Sequence, residues 1–258
     1  MRSALATRAV MITGATGSIG SALARAYAAP GVTLFLQGRK VEQLTSITEQ
    51  CESLGARVQT AAFDLREREQ LSQWLKSVCE QSVPDLVFVN AAININVGPE
   101  NAGENWQDIE TLLEVNIRAA FATVNGVLPS MRQRGHGQIA LISSLAAYHG
   151  LPMTPSYCAS KAALKAYGEG LRSWLAPEGI QVNVVMPGYV ESAMCEDMPG
   201  PKPFLWQPHD AAHAIKRGLV ANKARISFPF PLNLGTWFLA VLPAGVSQRL
   251  LRLFGYAV

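Results

Sequence analysis

An α/β fold, built as a doubly wound parallel sheet of about seven strands in a single domain, is the architecture this sequence predicts. Three observations carry the expectation. Seven apolar, strand-like runs alternate with helix-length segments. The first run ends in a glycine-bearing turn that opens a small-residue helix. With 258 residues, 49% hydrophobic and 16% charged, the chain can bury one sizeable core.

Taken in order, the runs are "AVMIT" (9–13), "VTLFLQ" (32–37), "RVQTAAF" (57–63), "DLVFVN" (85–90), "QIALIS" (138–143), "IQVNVVM" (180–186) and "ARISFPF" (224–230), most of them bounded by Gly, Pro or Asp. Helices are expected over 18–29, 41–54, 67–80, 106–134, 157–176 and 210–221. A parallel sheet follows, because such connections are long enough to cross back over it, and ligands of such sheets gather at the carboxyl ends of the strands. Residues 1–230 are assigned to this α/β domain. Residues 231–258 are read as an apolar helical extension packed on the same domain.

Composition removes several function classes. The net charge of +3 comes from 22 basic and 19 acidic residues scattered without a basic block, so no nucleic-acid partner is expected. Cys51, Cys79, Cys158 and Cys195 lie far apart with no metal-ligand spacing, which fits a reduced, cytoplasmic protein with no metal site. The opening "MRSALATRAVMITG" has no long apolar region, which argues against a secretory signal.

In "TGATGSIG" Gly14, Gly17 and Gly20 fall at G-x-x-G-x-x-G, one place off the dinucleotide fingerprint. Gly14 would make the tight turn and Gly20 would let the helix approach the sheet. The helix N-terminus would favour a pyrophosphate. Farther on, "SYCASKAALKAYGEGLRSWL" sets Tyr157 and Lys161 four apart on one helical face. An ammonium near a phenol favours the phenolate, so Lys161 is expected to draw the Tyr157 pKa down toward the range of a working proton donor. Ser144, at the end of "IALISS", would hydrogen-bond the same substrate oxygen.

With "DLVFVNAAI", "LLEVNIRAAF" and "VVMPGYVESAM" added in order, the sequence resembles the short-chain dehydrogenase/reductase family over roughly residues 8–228. The resemblance implies that residues 1–230 are a Rossmann-fold catalytic domain that binds a dinucleotide, that Tyr157 is the acid/base, that Lys161 also binds the nicotinamide ribose, that Ser144 orients the carbonyl and that Asn116 completes a proton relay. It further implies cofactor contacts at Gly14, Thr16, Gly17, Ser18, Ile19 and Gly20 in the first turn, at Asp64 and Leu65 near the adenine, at Asn90 and Ala91 on the cofactor floor, and at Pro187, Gly188 and Val190 beside the carboxamide. It also implies a homo-oligomer, dimer or tetramer, paired through the helices of 106–134 and 157–176, where Ala162, Ala163 and Ala166 would permit close approach. Two departures stand out: Ser18 takes the position of the family's middle glycine, and its N-N-A-G appears as "VNAA".

At the end of the second strand "LQGRK" offers Arg39 and Lys40 and no acid, a pattern that accommodates the 2'-phosphate of NADP; the alternative is a solvated turn. The expected activity is an NADPH-dependent transfer of hydride between nicotinamide and the carbonyl or alcohol of a small molecule. A nucleotide-sugar epimerase or dehydratase and a non-catalytic NADP sensor are the alternatives. His209 and His213 in "HDAAH" are read as capping and packing residues, Cys158 as a small buried group, and Trp106 and Trp174 as core or subunit contacts. The uncharged stretch 226–248 carries prolines and glycines that would interrupt a spanning helix. Together with "GVSQRLLRLFGY" and the loop bearing Met194, Phe204, Leu205 and Trp206 it is expected to form an apolar lid over a bulky apolar substrate. Arg249 and Arg252 allow at most peripheral membrane contact.

Overall fold

The structure is a computed structural model describing residues 7–98, 102–198 and 200–256. The expectation about a secretory signal falls in part on residues 1–6, outside the described residues. The strands are β1 (Ala9–Ile12), β2 (Thr33–Gly38), β3 (Arg57–Ala62), β4 (Leu86–Val89), β5 (Gly137–Ile142), β6 (Ile180–Pro187) and β7 (Arg225–Phe228). They form one seven-stranded sheet in the order β3-β2-β1-β4-β5-β6-β7, and every pairing is parallel. The helices are α1 (Ser18–Tyr27), α2 (Val41–Ser53), α3 (Arg68–Gln81), α4 (Trp106–Leu113), α5 (Ala120–Arg134), α6 (Pro155–Leu175), α7 (Ala193–Glu196), α8 (Pro208–Val220), α9 (Leu232–Val241) and α10 (Ala244–Leu253).

Both faces of the central strands are covered, which is why those strands read as unbroken apolar runs. In β1, Val10 and Ile12 join the cluster holding Leu23 of α1, Leu44 of α2 and Ile215 of α8. Ala9 and Met11 join the opposite cluster, with Leu75 of α3, Val127 of α5 and Leu164 of α6. β3, at the edge, has no buried residue and accordingly carries Arg57, Gln59 and Thr60. After β3 the chain returns to place β4 on the other side of β1. Connections therefore diverge at β1 and β4, opening a crevice at the carboxyl ends of these strands.

One expected helix is divided. Residues 106–134 form α4, then a π-helical turn over Glu114–Ala119, then α5. The widened turn carries Asn116 wholly into the interior, where Oδ1 accepts from Ile93 N at 2.8 Å and Nδ2 donates to Ile93 O at 2.9 Å and Ser160 Oγ at 3.0 Å. A buried amide satisfied by three bonds offsets the poorer helix geometry.

Other readings are corrected by the packing. Trp106 and Trp174 are 63% and 55% exposed in the single chain, so of the two roles expected for them the packing removes the core and leaves the subunit contact. They stand on helix surfaces, with the Arg132 guanidinium 5.5 Å from the Trp174 ring. His209 and His213 are also exposed, and α8 has no side-chain cap, so neither histidine caps or packs. Proline at the first position of α8 suits the first turn in another way, with its fixed φ and with no N–H that would need an acceptor. Cys158 is buried, as expected. Among the described residues no helix is long and apolar enough to cross a membrane.

Candidate active site

A cavity of about 1350 Å³ occupies the crevice and runs from the glycine turn, past α6, to α9 and α10. Every residue singled out from sequence as catalytic or cofactor-binding lines it except Asn116, whose neighbour Val115 does so instead. Asn116 lies behind the wall, its side chain fully engaged by Ile93 and Ser160.

The glycine turn is held from beneath. Gly14 has φ +64°, a left-handed value, and a Cβ there would lie 2.7 Å from the Cα of Ala91. A side chain at Gly20 would collide with the Gly14 carbonyl oxygen and with Asn90. Gly17 differs: its φ is −76°, and a Cβ would meet only Gly14 O, at 3.4 Å. Neither backbone strain nor a protein neighbour demands glycine there, while its lining position leaves space for a ligand to approach the backbone closely. The first-turn N–H groups of α1 have no intrahelical acceptor, and no side chain caps the helix or places an acid in its first turn. A pyrophosphate fits this cradle.

Asn90 secures the floor, with Nδ2 donating to Thr13 O and Gly14 O, each at 3.0 Å. Gln37, buried near the end of β2, accepts from Gly14 N at 3.1 Å and donates to Phe63 O at 2.7 Å. The sequence reading passed over both Gln37 and Thr13. Gln37 had a visible signal, as an amide inside an otherwise apolar run. Beyond it, Arg39 and Lys40 stand exposed at the cavity edge. The Arg66 guanidinium, 2.9 Å from Asp64, holds that carboxyl below its ordinary range and balances its charge. A cationic excess therefore remains at Arg39 and Lys40.

At the other end of the crevice β5 delivers Ser143 and Ser144 while α6 delivers Tyr157 and Lys161. Ser144 Oγ accepts from Ala146 N at 3.1 Å and donates to Pro187 O at 3.4 Å. Ser143 turns the other way, donating to Lys161 O at 2.7 Å and pinning the helix to the strand end. Lys161 Nζ donates to Ile142 O at 3.0 Å and lies 5.6 Å from the centroid of the Tyr157 ring. Burial pushes the Tyr157 phenol up to about 12, opposed by its hydrogen bond with Ser144, and the same desolvation brings Lys161 down to about 7. The expected lowering of the phenol is thus absent from the protein alone. The ammonium is bound to a carbonyl rather than to the phenol, and loss of water outweighs its field.

The residues expected over the substrate end divide into two groups. Met194, Phe204, Leu250 and Leu251 line the cavity beside residues of α9. Leu205 and Trp206 do not; Trp206 stacks on Phe228, with centroids 5.0 Å apart, because a parallel bridge to Val190 turns it toward the core. Tyr189, which the sequence reading did not single out, has its hydroxyl 3.0 Å from that of Tyr256, and Tyr256 donates to Pro201 O at 3.0 Å. These bonds tie the end of the chain to the loop after β6.

Residues 8–201 match the family model described as short chain dehydrogenase. An uncharacterized oxidoreductase of Myxococcus xanthus is 33% identical over 238 residues, 92% of this chain and 93% of that protein. The ketoacyl reductase HetN of a Nostoc species is 30% identical over 220 residues, 83% of this chain and 76% of its own. Among solved structures, a short-chain dehydrogenase from Sphingobium yanoikuyae in complex with NADPH superposes with a TM-score of 0.81 at 23% identity, over 95% of each chain.

Proposed function

This chain belongs to the short-chain dehydrogenase/reductase family of NAD(P)-dependent oxidoreductases, and we propose that it is an NADPH-dependent enzyme interconverting a bulky, apolar carbonyl compound and its alcohol. The observation that carries the reading is the convergence of Ser144, Tyr157 and Lys161 on the cavity that also holds the glycine turn. The nicotinamide cofactor, when bound, supplies or accepts the hydride at the carbonyl carbon. The protein does the rest. Ser144 and the Tyr157 hydroxyl, both on the cavity wall, orient the carbonyl oxygen between them. Tyr157 gives its proton to that oxygen as the alcohol forms and takes it back in the opposite direction. Lys161 binds the ribose and, once its charge is engaged near the phenol, eases that proton transfer. Asn116 acts at one remove, fixing Ile93 in the wall and Ser160 on the catalytic helix.

Arg39 and Lys40 favour the 2'-phosphate of NADPH, because the nearby carboxylate of Asp64 is already paired with Arg66. The side of the cavity formed by Leu145, Leu151, Met194, Phe204, Leu232 and Leu239 favours apolar substrates, and the name of the Nostoc relative adds fatty-acyl ketones to the range worth testing. The four free cysteines suit a reducing, cytoplasmic setting. A panel of ketones, ketoacyl thioesters and sugars assayed by NADPH oxidation tests the activity. Arg39→Asp should lose much of the preference for NADPH over NADH. Equal affinity of the unmodified protein for both cofactors in fluorescence titration would defeat the cofactor assignment.

A further inference from the structure

The carboxyl-terminal helices present apolar side chains to solvent where a protein core would take them. α9 has no buried residue. Its Leu232, Thr236 and Leu239 are half-buried, whereas Leu234, Trp237, Phe238 and Val241, at i, i+3, i+4 and i+7, are all exposed. Val246 and Leu253 on α10 and the adjacent Phe254 extend the exposed apolar surface. Leu234, Phe238 and Phe254 also line the large cavity together with the exposed Phe204, so the patch and the cavity mouth share side chains.

Charge distinguishes the possible occupants of this surface. Asp210 is the last acidic residue of the chain, and Lys216, Arg217, Lys223, Arg225, Arg249 and Arg252 follow it. Arg225 pairs with Glu169 and Lys216 donates to Ala26 O. Arg249 and Arg252 are exposed on α10 and lie within ion-pair distance of no carboxylate among the described residues. A second copy seated face to face on these helices would set Arg249 and Arg252 against like charges, and neither α9 nor α10 carries an acid to answer them. An anionic lipid surface answers both the charge and the apolar residues.

We propose that α9 and α10 form a shallow docking face for an anionic bilayer, holding the cavity mouth against the lipid. The ten residues of α9 rise roughly 15 Å, half the hydrocarbon thickness, so the contact is peripheral. Resting on the reading of an apolar substrate above, the docked arrangement lets that substrate pass from the lipid into the site without crossing water.

Vesicle binding tests the surface independently of turnover. The full chain should sediment with phosphatidylcholine vesicles containing phosphatidylglycerol and much less with phosphatidylcholine alone, and added salt should release it. Arg249→Gln combined with Arg252→Gln should weaken the partition by roughly tenfold or more. Trp237→Glu with Val241→Glu should abolish it while NADPH binding and the circular dichroism spectrum stay unchanged. Brominated lipid should quench the fluorescence of the unmodified chain more than that of Trp237→Phe, which identifies α9 as the inserted helix. Failure to sediment with anionic vesicles at low salt, or equal binding to both vesicle types, would overturn the proposal. So would a change of oligomeric state by light scattering in the Trp237→Glu, Val241→Glu variant, which would mark the patch as a subunit contact.

Discussion

Replacing Lys161 by methionine should stabilise the protein while removing its activity. The side chain is buried, and desolvation brings its pKa from the ordinary 10.5 down to about 7. Those roughly 3.5 pH units, at about 1.4 kcal/mol each, mean that at pH 7 the amine weighs on the fold by about 4 kcal/mol. Methionine keeps the length and apolar stem but takes the Nζ donor away from the buried Ile142 O, at a cost of about 1–3 kcal/mol. A net gain of about 1–3 kcal/mol remains, equivalent to roughly 2–12 °C in melting temperature for a chain of this size. The gain depends on pH in a definite direction. Between about pH 7 and 10.5 the unfolded chain holds a proton on Lys161 that the folded chain has lost, so the unmodified protein gains stability as pH rises through this window. The variant lacks that gain, and the gap between the two should close toward pH 10. Urea denaturation without added nucleotide, at several pH values across the window, measures both effects. A variant no more stable than the parent, or a gap that stays constant from about pH 7 to 9.5, would refute the claim that Lys161 is a destabilising group retained for its chemistry.

Other outcomes follow from the site. Tyr157→Phe should leave NADPH binding nearly intact and lower turnover by at least the roughly 10²-fold to 10⁴-fold expected for loss of a general acid; near-normal turnover on a verified substrate would end the mechanism. Gln37→Leu strands Gly14 N and Phe63 O, each at a cost of about 1–3 kcal/mol, and should lower the melting temperature while weakening NADPH in titration. Truncation after Phe230 removes α9 and α10 and should sharply reduce turnover of large apolar ketones and increase binding of a hydrophobic dye. A soluble truncated enzyme that reduces them as well as the intact one would show that the helices neither cover the site nor complete its wall.

What could be read in advance follows the range of each interaction. The strands were legible because a sheet covered on both faces demands apolar runs, and each of the seven lies within two residues of its observed bounds. Tyr157 and Lys161 were legible because a helix converts a spacing of four into a shared face. The sign of the Tyr157 shift was not. It depends on how much water the fold removes and on which acceptor the ammonium finds, and the acceptor is Ile142 O, nineteen positions upstream on β5. Trp206 shows the same limit at the surface: its neighbours in sequence suggested a lid, but its place is set by Val190 and Phe228, residues distant in the chain. Asn116 joins both kinds of information. The motif around it was visible, yet its reach to Ile93 and Ser160 needs a π-helical turn inside a segment whose pattern reads as continuous helix. A local irregularity of this kind is selected by the three buried hydrogen bonds it allows, and those bonds exist only once β4, α5 and α6 have come together.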